Sequence, residues 1–157
     1  MLELRGVRHR YEGRIVLDLE QFTLPRTGAV AVVGHNGAGK STLLRLLALL
    51  EAPTEGQVLL NGAVVPRRAP GALRRRVTLV EQRPILFRGT VRENLEYGLR
   101  VRDVGQTAAN GIIGDVVERL GLQQLLSRHR HELSDGEVQR VAVARALALR
   151  TDVLLLD

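Results

Sequence analysis

Apolar positions along the chain change their period several times, and each change predicts a different element. Residues 2–8 and 14–24 alternate or run apolar, with Ile15, Val16, Leu17, Leu19, Phe22 and Leu24 in the second stretch. They read as strands around a Tyr11-Glu12-Gly13 turn. Ala29-Val30-Ala31-Val32-Val33 is short, continuously apolar and β-branched, the pattern of a strand buried on both faces. From Lys40 the spacing of Leu43, Leu44, Leu46, Leu47 and Leu50 turns helical, and Pro53 and Gly56 end it. Val58-Leu59-Leu60 ahead of Asn61-Gly62 predicts a strand entering a hairpin turn. Val77-Thr78-Leu79-Val80 predicts another short strand, stopped near Pro84. Helical periods follow over 90–99, 112–120 and 122–127, broken by Gly105, Gly111 and Gly121. Residues 135–149 predict a strong amphipathic helix, with Val138, Val141, Ala142, Ala144, Arg145 and Leu149 spaced by three and four. Val153-Leu154-Leu155-Leu156 is a second buried-strand run, ahead of Asp157. There is no internal repeat. The order is that of an α/β fold: a core with N-terminal antiparallel β strands and a helical subdomain insert.

Composition narrows the class. A chain of 157 residues, 45% hydrophobic and 25% charged, suits one domain that buries a core. Without cysteine it has neither a disulfide framework nor a thiolate nucleophile or metal ligand. Met1-Leu2-Glu3-Leu4-Arg5 does not open a signal peptide, and apolar runs such as Leu46 to Leu50 are too short to span a bilayer. The net charge of +6 leaves three readings open: nucleic acid, an anionic membrane, or an incomplete chain whose acidic part is missing. Aromatics at 3% leave few platforms for stacking single-stranded bases, which argues against nucleic acid.

Chemistry concentrates around Lys40, the single lysine against twenty-two arginines. Gly34-His35-Asn36-Gly37-Ala38-Gly39-Lys40-Ser41-Thr42 matches the phosphate-binding pattern G-x-x-x-x-G-K-[ST] at every fixed position. Gly34, Gly37 and Gly39 let the backbone curl so that its N–H groups, through Asn36 and Ala38, point inward at phosphates. A compact ammonium at Lys40 fits between β- and γ-phosphate oxygens where arginine's planar fork would not. Ser41 is the candidate Mg²⁺ ligand and Thr42 a candidate α-phosphate contact, so a Mg²⁺-bound nucleoside triphosphate is the expected ligand. Such a loop needs a carboxylate across the metal, and Asp157, closing four apolar residues, is placed to supply it.

Leu133-Ser134-Asp135-Gly136-Glu137 and the following Val138-Gln139-Arg140-Val141-Ala142-Val143-Ala144-Arg145-Ala146-Leu147 closely resemble the signature segment of ATP-binding-cassette ATPases, L-S-G-G-Q before a QRV-x-x-ARAL helix. The resemblance runs through essentially the whole chain, with loop, signature and terminal strand in the family's order. It implies a single nucleotide-binding domain over 1–157, incomplete at the C-terminus. Within it, 1–83 would be the β subdomain and phosphate-loop core, 84–134 the helical subdomain, and 135–157 the signature helix with the Walker B strand. It also implies that Ser134, Gly136 and Glu137 meet the γ-phosphate of ATP held by a second subunit, in a head-to-tail dimer. Ser134 and Glu137 also form the capping box of an ordinary helix start. Gln82 matches the family's metal- and water-sensing glutamine, giving Lys40, Gln82 and Asp157 as catalytic candidates and Ser41, Gln82 and Asp157 as metal candidates. Tyr11 stands where the family stacks an aromatic on adenine, or else is a turn tyrosine packing on the sheet. Arg140 and Arg145 are expected to anchor their helix. His9, His35, His129 and His131 are not expected to ligate metal.

Two departures qualify the match. Asp135 replaces the signature's first glycine and Glu137 its glutamine, placing two carboxylates where a triphosphate would approach and predicting weaker dimer closure. The family's glutamate directly after the terminal Asp, and its later histidine, match no residue of this chain. The chain is therefore expected to bind ATP or ADP but hydrolyse poorly. The resemblance implies transport-coupled ATPase activity at the cytoplasmic, inner face of the plasma membrane. Implied partners are membrane-spanning permease subunits, a second ATPase subunit and a solute-binding protein. Pro84-Ile85-Leu86-Phe87-Arg88-Gly89-Thr90 and the segment to Arg100 are similar to importers of oxyanions such as tungstate, molybdate or phosphate. A soluble cassette ATPase acting on ribosomes or DNA, and a nucleotide-binding fragment without turnover, remain the alternatives.

Overall fold

A computed structural model describes residues 1–157. Strand β1 (Leu2–Tyr11) lies between β2 (Arg14–Leu24) and β3 (Glu55–Leu60), antiparallel to both, and β4 (Ala63–Val64) extends the sheet beyond β3. The strand outruns the alternation over 2–8 because its buried face changes parity: Leu2 and Leu4 are buried, then Val7 and His9. The change occurs at Gly6, at φ 53°, where the register with β3 shifts between Arg5 and Arg8. Gly56 faces this bulge, and a Cβ there would lie 2.2 Å from the Gly6 carbonyl oxygen. A second shift, between His9 and Arg10, leaves Val16 as the extra residue of β2, since His9 pairs with Leu17 and Arg10 with Ile15. The two bulges turn His9 inward and bring the Val16 carbonyl toward the phosphate loop.

Helix α1 (Lys40–Leu47) packs on β1 and β2 through Leu43, Leu44, Leu46 and Leu47. It stops short of Leu50 because Leu49 adopts φ 58°, a left-handed exit from the last turn. Residues 1–79 with Asp157 form one compact unit, and residues 80–156 form a second. The first also contains α2 (Gly71–Arg74), a single turn without an apolar signal in the sequence, and β5 (Val77–Val80) runs up to the boundary.

The second unit is built on α3 (Val91–Val101), α4 (Gln106–Leu120) and α5 (Asp135–Ala148), followed by β6 (Val153–Leu156). Helix α5 packs on α3 and α4 around a core that includes Leu95, Leu99, Ile113, Val117 and Val141. Thr90 and Glu93 close a capping box at the start of α3. Gly105 and Gly121 bound α4, the latter as a left-handed C-cap at φ 62°. Gly111, read as a breaker, lies inside α4, where the apolar stripe of Ala109, Ile113, Val116 and Val117 outweighs one glycine's helix cost of about 1 kcal/mol.

Three expectations need correction. Ala29–Val33 joins no strand ladder and is exposed, Val33 at 89%. Its composition suits a central strand, but that state needs hydrogen-bonded neighbours on both edges, and this run has none. In β6 only Leu155 is buried, and Leu156 is 58% exposed, so that run too lacks a cover on one face. Helix α5 is not amphipathic: Val138, Val141 and Ala144 join the main core while Ala142 and Ala146 pack with Val80 and Leu154 on another side. Its small alanines let neighbours approach from two directions.

Candidate functional site

The phosphate loop is shaped by positive φ angles at Gly37 (80°) and Gly39 (85°), and by a turn in which Ala38 N–H donates to the His35 carbonyl at 3.2 Å. Gly39 is the N-cap of α1, so the loop ends on that helix's free N–H groups. Lys40 folds back into the loop, its Nζ donating to the carbonyls of Gly34 (2.8 Å) and His35 (2.9 Å). The ammonium is thus held by the loop's own carbonyls. Ser41 Oγ donates to Asp157 Oδ1 at 3.0 Å, across 116 residues of sequence, within the first unit. The fold thus brings the loop serine and the terminal carboxylate into direct contact.

Thr42 is buried rather than set on the loop's rim. Its side chain and that of Arg45 reach the Tyr11 hydroxyl, which donates to Glu51 Oε2 at 2.5 Å. Burial first, then the Glu51 acceptor and its charge, raise the Tyr11 pKa above the ordinary phenol value, so the hydroxyl stays a donor at neutral pH. Tyr11 is 41% exposed, leaving part of its ring open to solvent. Asn36 and His35 lie on the exposed crest of the loop.

The second unit carries Gln82, Ser134, Gly136 and Glu137. Gln82 is exposed in the bend after β5, which ends at Val80 as the sequence pattern predicts. Ser134 caps α5: its Oγ accepts from Glu137 N–H at 3.3 Å, while Glu137 Oε2 accepts from Ser134 N–H and Oγ, each at 2.8 Å. The two acids of the altered signature are each matched by an arginine, Asp135 by Arg130 at 3.2 Å and Glu137 by Arg128 at 3.9 Å. These arginines offset the repulsion inferred from the sequence. Glu137 and Glu93 have pKa values lowered first by the backbone N–H of Ser134 and Thr90 respectively, then by those residues' hydroxyls. A folded-state pKa below the unfolded value of about 4.3 contributes stability above that pH and loses it as pH falls through the folded value. Unfolding curves taken from about pH 7 down to about pH 3 are expected to show an acid loss that Glu93→Gln and Glu137→Gln make shallower. An identical acid slope in both variants would show that the caps carry none of it.

Arg140 and Arg145 both reach backbone of neighbouring segments. Arg140 Nη1 lies 3.5 Å from the Leu120 carbonyl, and Arg145 Nη2 donates to the Ile85 carbonyl at 2.9 Å with its guanidinium 4.9 Å from the Phe87 ring centre. Sequence reasoning missed Asn94, which is buried and holds the same segment: it accepts from Phe87 N–H (2.8 Å) and donates to the carbonyls of Phe87 (3.1 Å) and Thr90 (2.9 Å). A polar residue on the Val91–Leu95 stripe was the available signal. Glu51 was missed too, being forty residues from Tyr11.

A family model described as ABC transporter matches residues 17–157, nearly the whole chain. The chain belongs to the ABC transporter family. The cassette is 40% identical to a phosphate import ATP-binding protein of Natronomonas pharaonis, over 99% of this chain and 59% of that protein. It is 34% identical to the tungstate uptake system ATP-binding protein of Peptoclostridium acidaminophilum, over 99% of this chain and 71% of that one. Among solved structures, a dimeric ATP-binding cassette in a post-hydrolysis state with ADP and Pi superposes with a TM-score of 0.88 at 26% identity, over all of this chain and 73% of that chain. The cassette thus spans about three-fifths of the length of its phosphate-import relative. The α/β phosphate-loop fold inferred from the sequence is that of these neighbours. No helix of the cassette is long and apolar enough to cross a membrane.

Proposed function

We propose that this chain binds ATP with Mg²⁺ on residues 34–42 and energises import of a small oxyanion as one of two cassettes arranged head to tail. The observation that carries the reading is the Ser41–Asp157 contact at 3.0 Å beside a Lys40 ammonium held among loop carbonyls. A hydroxyl and a carboxylate are the hard oxygen donors that Mg²⁺ prefers, and this ion usually completes its shell with phosphate and water rather than an all-protein cage. When bound, Mg²⁺ neutralises charge on the phosphate oxygens. The chain's own part is to cradle phosphates on loop N–H groups, place the Lys40 charge between them, and stack the base on Tyr11. Gln82, in the bend after β5, is proposed from the family resemblance to sense metal and water.

Ser134, Gly136 and Glu137 are proposed to offer the start of α5 to nucleotide on the second cassette, with Arg128 and Arg130 screening the acids there. The relatives' names, phosphate and tungstate import, support the oxyanion assignment. A membrane-spanning permease would dock on the helical unit, where Ile85, Phe87 and Tyr97 are exposed and Phe87 and Tyr97 contact each other at 4.4 Å. The expected location is the cytoplasmic face of the membrane, with a solute-binding protein delivering cargo on the other side.

The metal assignment is tested by titrating Mg²⁺ at fixed ATP. Asp157→Asn is expected to raise the Mg²⁺ needed for half-maximal ATP binding about tenfold, the value of one charge-assisted contact. Equal Mg²⁺ dependence in Asp157→Asn and the parent chain would remove Asp157 from the site.

A further inference from the structure

The aromatic expected to stack on adenine is not free to choose its angle. Tyr11 is the last residue of β1, and its ring is constrained on two sides. The hydroxyl donates to Glu51, just beyond α1, and is also reached by Thr42 and Arg45 of α1 itself. The ring also meets His9, whose centroid is 4.8 Å away at an interplanar angle of 87°. His9 is 6% exposed, and neither of its ring nitrogens makes a hydrogen bond. Its Nε2 nevertheless lies 3.3 Å from Glu51 Oε2, close but poorly aligned. Arg45 Nη1 approaches the other Glu51 oxygen at 3.8 Å. One half-buried carboxylate therefore gathers Tyr11, His9 and Arg45.

We propose that Glu51 is a positioning residue for the base: by holding the Tyr11 hydroxyl against α1, it fixes the ring as a preset platform at one distance from the phosphate loop. The proposal rests on the reading of Tyr11 as the adenine platform and adds what sets its geometry. A tyrosine at a strand end beside a turn has two side-chain torsions to lose when a base stacks on it. Tethering the hydroxyl removes that loss before the nucleotide arrives, the usual gain of preorganisation. The tether joins the same helix whose first turn carries Lys40 and Ser41, so base platform and phosphate cradle belong to one unit. Buried His9, set perpendicular to the ring, limits how far the ring can swing. The bulges in β1 and β2 that turn His9 inward thus acquire a role at the site.

Because Glu51 touches the base end and not the phosphates, its removal is expected to separate two affinities. Glu51→Ala should weaken ATP binding about tenfold, the worth of a hydrogen bond to a charged partner, and leave inorganic tripolyphosphate binding unchanged. Tyr11→Phe, which keeps the ring and removes only the tether, should reproduce that loss, and the double variant should lose no more than either single one. Glu51→Gln keeps an acceptor and should recover most of the ATP affinity. Isothermal titration with both ligands, alongside thermal unfolding to confirm folding, reads each term. Unchanged ATP affinity in Glu51→Ala and Tyr11→Phe, or equal losses for ATP and tripolyphosphate, would overturn the proposal. Failure of the underlying reading looks different. If Tyr11→Ala, with no ring at all, binds ATP as the parent does while Lys40→Ala does not, adenine is not stacked on Tyr11, and the role of Glu51 is refuted with it.

Discussion

Replacing Lys40 with alanine is expected to weaken ATP binding by on the order of 100-fold or more, with the unfolding midpoint nearly unchanged. The side chain carries the single compact cation of the loop, and its two contacts in the structure are with carbonyls that phosphate oxygens would replace. Hydrogen bonds to charged groups contribute roughly 1.5–3 kcal/mol each, so losing two is about 3–6 kcal/mol, roughly two to four decades in affinity. Stability should hardly move, because the ammonium is partly exposed and satisfies carbonyls that water can reach. Lys40→Arg tests the shape argument. It keeps the charge, but the planar fork is too wide for a cage closed at 2.8 and 2.9 Å, so little affinity should return. Titration calorimetry on the three proteins reads these effects, and Lys40→Ala binding within threefold of the parent would refute them.

The second large effect separates two glycines of the same loop. Gly37 and Gly39 both have positive φ, but their surroundings differ. Around Gly37 an added Cβ meets nothing within 4 Å, so Gly37→Ala should cost only the left-handed strain of about 1–2 kcal/mol. At Gly39 the same Cβ would lie 2.5 Å from the Val16 carbonyl oxygen and 3.2 Å from Leu17 Cδ1. That carbonyl belongs to the bulged position of β2 and is backbone, with no rotamer to move. Gly39→Ala therefore adds overpacking to strain, together about 3–4 kcal/mol, and displaces the loop that holds Lys40. Urea denaturation of the pair is expected to show a clearly lower midpoint for Gly39→Ala. Equal midpoints would mean that the close approach of loop and strand is not present in solution.

What the sequence disclosed follows from the range over which each signal acts. Helices α3 and α5 were legible because their signals are local: apolar residues at helical spacing in both, and the Ser134–Glu137 capping box at the start of α5. Ala29–Val33 misled, since burial is a property of neighbours, and composition records only that the run would tolerate them. The Ser41–Asp157 pair spans 116 residues and was found only because two motifs have complementary chemistry. Glu51 had no such complement. An acid after an apolar helix reads as a solvated end, and only the fold brings it to Tyr11. Asn94 is similar: its partners are the backbone of Phe87 and Thr90, and a backbone partner leaves no mark in side-chain pattern.

The central claim, that residues 34–42 with Asp157 read a Mg²⁺-bound triphosphate, is tested most directly by calorimetric titration of this chain with ATP, ADP and AMP, each with Mg²⁺ and with chelator. The account predicts saturable binding of one ATP per chain, strengthened by Mg²⁺, with AMP weaker by at least about 100-fold because it lacks the phosphates that Lys40 would contact. Comparable affinities for ATP and AMP, indifferent to Mg²⁺, would contradict it.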